Sequence, residues 1–141
     1  MTLPIGIAVD TIHNEIFVTD HGSTQSVTVY ERTATGNVTP LRTISSSKTG
    51  LSSPSGITVD TTNNEILVTN NNGGLTVYRR TDSGNISPVR TLTGGLRAPS
   101  GIAVDSIKNE IDLHDGILDV QQFRHFCLEH SCFLSPQRSR V

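Results

Sequence analysis

Carboxylates recur in phase along this chain of 141 residues. Asp10, Asp60 and Asp105 each close a Gly-Ile-x-Val-Asp phrase, and a ring of such side chains has the chemistry to hold a metal ion. An aspartate at a strand end also accepts N–H bonds from the turn that follows, and its presence in every copy favours that structural role. More distinctive are residues that differ between copies: Asp20 and His21 in DHGSTQ (20–25), and Asn70 and Asn71 in NNNGG (70–74). His21 beside Asp20 has the makings of a metal ligand or general base, set against the plainer reading of a solvated loop histidine. Asp20, His21, Asn70 and Asn71 are the candidates for a ligand-binding face. No Ser/His/Asp or Cys/His set can be assigned, so no catalytic residue, cofactor site or metal site is expected.

The C-terminal residues 112–141 hold a second group of reactive side chains. His125, Cys127, His130 and Cys132 keep metal-like company but lack the recurrent paired spacing of zinc sites. Asp115–Phe123 resembles the back half of a calcium loop with Gly116 at its sharp turn. Ile111, Leu113 and Gln122 stand where that loop needs oxygen ligands, which leaves too few. Residues 117–128 place Val120, Phe123 and Cys127 on one side of an amphipathic helix. This tail has no Thr and no Asn, and it carries both cysteines and three of the four phenylalanines. It is expected to be helical or disordered and unrelated to what precedes it.

The elements that position these groups are repeats. Gly-Ile-x-Val-Asp starts at Gly6, Gly56 and Gly101, 50 and then 45 residues apart. Between copies, SVTVYERTATGNVTPLRTI (26–44) matches GLTVYRRTDSGNISPVRTL (74–92). Each unit holds four β-rich runs; in the second unit they are 56–60, 65–70, 75–80 and 89–92. Ile-Phe-Val and Ile-Leu-Val are apolar on both faces, which places their strands in sheets sandwiched between other sheets. Four antiparallel strands per 40–50 residues, so sandwiched, describe stacked propeller blades. The expectation is all-β: about two and a half blades in an incomplete ring. Units of about 4–53, 54–98 and a partial 99–111 form one region, 1–111, with 112–141 as a non-repeat tail.

The formal net charge is −2, and neither a basic face for nucleic acid nor a polybasic membrane patch is present. No run spans a bilayer and no signal peptide is visible, so the compartment stays unassigned. Tryptophan is absent and aromatics make up 4% of residues, so the core must be built from Val, Ile and Leu. Asn37-Val-Thr39 and Asn85-Ile-Ser87 match the glycosylation sequon but fall at equivalent turns, each followed immediately by proline, Pro40 or Pro88.

Pro-x-Gly-Ile-x-Val-Asp followed by Ile-x-Val-Thr-Asp/Asn, at 4–20 and 54–70, resembles the NHL-repeat family of β-propellers. Thr-Val-Tyr-x-Arg-Thr and Gly-Asn-x-x-Pro-x-Arg-Thr bring it nearest to bacterial NHL-like proteins. Asn-Glu at 14–15, 64–65 and 109–110 departs from the glycine that many members have there. The resemblance implies a non-catalytic scaffold for protein or polysaccharide, part of a larger propeller and able to self-associate through open blade edges. The family also implies an alternative, a remnant of a metal-dependent lactonase- or lyase-type enzyme. A frame-shifted product without autonomous function is the third reading, because the repeat phrase changes at Asp112.

Overall fold

The computed structural model describes residues 1–115 and the backbone of 123–127. Eleven strands form three antiparallel sheets among these residues. The first is a meander of β1 (Pro4–Asp10), β2 (Glu15–Asp20), β3 (Ser26–Glu31) and β4 (Arg42–Ile44). The second repeats it with β5 (Pro54–Asp60), β6 (Glu65–Asn70), β7 (Leu75–Arg79) and β8 (Arg90–Leu92). The third has β9 (Pro99–Asp105), β10 (Glu110–Asp115) and β11 (Phe123–Cys127) in the order β11-β10-β9. First strands pack on first strands, β1 on β5 and β5 on β9, as blades do around an axis. No helix among the described residues is long and apolar enough to cross a membrane.

The recurring aspartates set the β1–β2 type of turn. Asp10 Oδ1 accepts the backbone N–H groups of Ile12 and His13, both at 2.9 Å. Asp60 does the same for Thr62 and Asn63, and Asp105 for Ile107 and Lys108. Each turn ends on an asparagine in the left-handed region: Asn14 at φ 60°, Asn64 and Asn109 at φ 57°. Asparagine tolerates that region almost as glycine does. Its side chain also earns the position, because Asn14 Oδ1 receives Arg32 Nε at 2.9 Å and Asn64 Oδ1 receives Arg80 Nε at 2.8 Å.

Residues paired across antiparallel strands share a face, so the register states what each sheet presents to its neighbours. In the first sheet Ala8, Phe17 and Val29 line up on one side. They meet Ile57, Ile66, Val68 and Tyr78 of the second sheet in one buried cluster, joined by Val27 and Ile44. The other side of the second sheet, with Leu67, Leu75 and Val77, packs on Leu96, Ile111 and Leu113. Each fully buried Leu, Ile or Phe contributes about 1.5–3 kcal/mol relative to exposure. Ile66, Leu67 and Val68 are all fully buried because successive residues feed opposite interfaces.

Polar clasps reinforce the first interface. Glu15 accepts from Arg42 of its own sheet at 2.8 Å and from Arg80 of the next at 2.6 Å. The β7–β8 connection then covers the edge of β4: Gly84 N–H donates to Thr43 O at 2.7 Å and Ser45 N–H to Gly84 O at 3.2 Å. An edge so paired is closed to strand addition.

One expectation for the C-terminal region changes. The strand that contains Asp112 runs on past it: β10 pairs with β9 in register from Glu110 to His114, with an irregularity before Asp115. Ile111 and Leu113 take the buried places of Ile66 and Val68, while Asp112 falls on the side away from the second sheet. There the residue as a whole is half-buried, with its Oδ1 shielded from solvent. Where the sequence suggests an amphipathic helix over 117–128, residues 123–127 instead form β11, antiparallel to β10. Phe126 is registered against Ile111, as Tyr78 is against Ile66. His130, Cys132 and residues 116–122, with Gly116, Val120 and Gln122, lie outside the described residues.

Candidate functional site

The β2–β3 and β6–β7 connections are equivalent loops of two adjacent blades, and each is tied to the segment preceding its own first strand. His21 N–H donates to Leu3 O at 2.9 Å, and Asn71 N–H to Ser53 O at 3.0 Å. Asp20, fully buried, holds one of these junctions. Its carboxylate accepts N–H bonds from Thr2 and Leu3 at 2.7 Å and from Gly22 at 3.0 Å. Asn70 holds the other: its Oδ1 accepts Ser52 N–H at 2.9 Å, and its amide donates to Thr76 Oγ1 at 3.1 Å. Both side chains are therefore engaged by backbone and strand, one layer beneath the surface.

The environment of Asp20 sets a pH dependence. Burial raises its pKa, and the Leu3, Gly22 and Thr2 N–H bonds outweigh that, so the carboxyl lies below its ordinary 3.8. A group depressed in the folded state stabilises above its unfolded pKa and loses that contribution as pH falls through the folded value. Asp20→Asn is therefore expected to lower the urea midpoint at pH 7 and to flatten its decline below about pH 4. Equal acid slopes for the two proteins would show that Asp20 carries none of this term. Asp10 is held low by the same balance, its burial opposed by His13 and Ile12, so only the difference between the two slopes reports on Asp20.

What the surface presents is neutral. Gln25 Oε1 accepts Ser53 N–H at 3.3 Å, which joins the loop of the first blade to the junction of the second. Asn72 reaches the same serines, donating to Ser52 Oγ at 2.9 Å and Ser53 Oγ at 3.4 Å. His21 and Asn71, on these same two loops, are half-buried, and His21 Nδ1 meets no hydrogen-bond partner among the described residues. The result is a shelf of amides, hydroxyls and one imidazole spanning two blades, with Ser53 as its centre. The preceding segments 49–55 and 94–100 are less available than their polarity suggests, because each sends a leucine, Leu51 or Leu96, into a blade interface.

A second polar feature, missed in the sequence, runs along the first strands. Thr19 Oγ1 donates to Ser55 O at 2.6 Å, across the first interface. Ser55 Oγ lies 2.9 Å from Thr69 Oγ1 and donates to Pro99 O at 2.8 Å, across the second. In the third blade the threonine place is taken by His114, whose Nδ1 is 3.2 Å from Ser100 Oγ. The signal was present as Thr19 and Thr69 recurring in phase after each apolar run. Only stacking shows that these hydroxyls bind the neighbouring blade. Tyr78 makes a similar buried bond, its hydroxyl donating to Thr49 O at 2.7 Å; burial pushes that hydroxyl up to about 12.

No protein-family model and no curated protein matches the chain. Among solved structures, the fold is similar to a chain of a nidogen/laminin complex, at 22% identity and a TM-score of 0.61. That match covers 79% of this chain and 39% of the other. It is also similar to a gluconolactonase from Xanthomonas campestris, at 13% identity and a TM-score of 0.58, covering 82% of this chain and 36% of that one. The chain spans well under half the length of either structure. These likenesses show the fold: about two and a half propeller blades, all-β.

Proposed function

We propose that the chain is a non-catalytic binding module of NHL-like propeller type, which engages a protein or polysaccharide chain through the Ser53-centred shelf. The observation that carries this reading is the division of labour in the β2–β3 and β6–β7 loops. Asp20 and Asn70, the residues with the most chemistry to offer, hold the backbone, while Gln25, Ser52, Ser53, Asn71 and Asn72 face outward or bridge the blades. Amides and hydroxyls on a rigid scaffold suit neutral polar ligands, such as the hydroxyls of a glycan or an extended peptide backbone. The likeness to a chain of a nidogen/laminin complex, itself an assembly of proteins, leans towards a protein partner.

Amide chemical-shift mapping with neutral oligosaccharides and with uncharged extended peptides tests the reading. Shifts are expected at His21, Gln25, Ser53, Asn71 and Asn72. The double substitution S53K/N71K is expected to weaken binding at least about tenfold while leaving the fold intact, since it removes the serine hydroxyl and the asparagine amide and leaves two charges to be desolvated beneath a neutral ligand. Shifts confined to other surfaces, or hydrolysis of a lactone by the purified chain, would replace the binding reading.

A further inference from the structure

Asn72 is the one asparagine of the chain that a glycine follows. That pair carries chemistry of its own. Stripped of its proton, a backbone nitrogen attacks the side-chain carbonyl of the asparagine before it, and a glycine without Cβ leaves the approach unhindered. The other asparagines precede Asn, Glu, Val or Ile. Asn70 is buried, and the side chains of Asn14, Asn63 and Asn64 are held by Arg32, Asp60 and Arg80.

The tip of the β6–β7 loop leaves room for the reaction. Asn72 is exposed, Gly73 turns at φ 95°, and a Cβ added at Gly73 would meet only Leu96 O, at 3.4 Å. Two sets of contacts restrain it. Gly73 N–H donates to Asn70 O at 2.9 Å, and the Asn72 amide donates to Ser52 Oγ and Ser53 Oγ. These are bonds of a loop tip, which open locally without unstacking a blade. We propose that Asn72–Gly73 is a self-modification site, at which the neutral shelf acquires a carboxylate. The Gly73 nitrogen gives its proton to solvent and bonds to Asn72 Cγ; the Cγ–Nδ2 bond breaks and ammonia leaves. Water then opens the five-membered imide to aspartate or isoaspartate, so one water enters, one ammonia departs and nothing is oxidised or reduced. The Ser52 and Ser53 hydroxyls, which accept from the amide, can turn and donate to the carboxylate, so the loop keeps its partners. On the binding reading above, the new charge must be desolvated beneath a neutral partner and weakens its hold.

Tandem mass spectrometry of the full chain, aged at neutral and mildly alkaline pH, reads the change as one added mass unit at the asparagine concerned. In the folded chain Asn72 is expected to convert at least about tenfold faster than any other asparagine, and faster at the higher pH. In urea, with the restraining contacts gone, its conversion should be roughly tenfold faster still. Asn72→Gln should keep the fold and lose the change, because the longer side chain closes a less favoured ring. Another asparagine converting first in the folded chain overturns the site. So does a folded chain left unaltered when the chain in urea has converted. The consequence is read separately: converted and fresh chains, parted by anion exchange, are compared for binding of neutral oligosaccharides and uncharged extended peptides. Equal binding by the two forms overturns the effect on the shelf, whereas binding by neither refutes the shelf itself and leaves the modification standing.

Discussion

Replacing Phe17 with alanine is expected to destabilise the chain by about 3–5 kcal/mol, a large part of the 5–15 kcal/mol that holds an ordinary domain folded. Phe17 is fully buried and its ring fills the interface between the first two blades, against Ile57, Ile66, Val68 and Tyr78. Two strand-anchored sheets cannot collapse onto the space a lost ring leaves, so transfer and cavity costs add. Phe17→Leu is the informative control. Leucine already serves this place in the second blade as Leu67, and a hydrophobic replacement that repacks costs under about 1.5 kcal/mol. Chemical denaturation measures both. Equal, small losses for the two variants would mean that the blades do not stack through this contact.

Gly56→Ala is expected to be nearly as damaging, through crowding rather than a cavity. A Cβ there would lie 2.5 Å from Ser100 O, 2.9 Å from Thr69 Oγ1 and 3.3 Å from Ile102 Cγ2. The first of these is backbone of the next blade and cannot rotate away. Gly56 N–H also donates to Thr69 Oγ1 at 2.7 Å, and Ser55 Oγ spans to Pro99 O, so displacement of β5 breaks the seam as well. Overpacking of this kind costs about 1–3 kcal/mol, more where backbone must move. Gly101→Ala offers the comparison within one protein. It occupies the same place in the same phrase, yet its Cβ would approach only His114 Cβ, at 3.3 Å. Thermal melts should show a clear fall for Gly56→Ala and a small one for Gly101→Ala. Similar falls would show that the glycine is needed for the turn of the strand and not for the neighbour.

Local chemistry was legible wherever it is carried by residues close in sequence. β6 has the limits expected of it, 65–70, and the other strands of that unit shift only at their ends, where Pro54 and Ser55 join β5 while Arg80 and Val89 drop out. The capping aspartates needed nothing beyond their own turns. The candidate site was legible only as a place. Asp20 and Asn70 were singled out as differing between copies, but they do one job, holding the segment before their blade. The neutral shelf came into view only when Gln25 and Ser53, 28 residues apart, were found bonded.

The sequence alone determines the strand order, the register within each hairpin, the turn caps and the number of repeat units, because each follows from contacts within one repeat. Tertiary structure decides which copy of a residue is core. Ile7 and Ile57 share nearly the same local sequence, and one is exposed while the other is buried, since among the described residues only Ile57 has a blade in front of it. Asp112 poses the same question in reverse: it stands in the place of Phe17 and Leu67, on a side of its sheet that borders no described blade. Burial belongs to a residue's neighbours in space, and a repeated phrase cannot encode which of its copies has them.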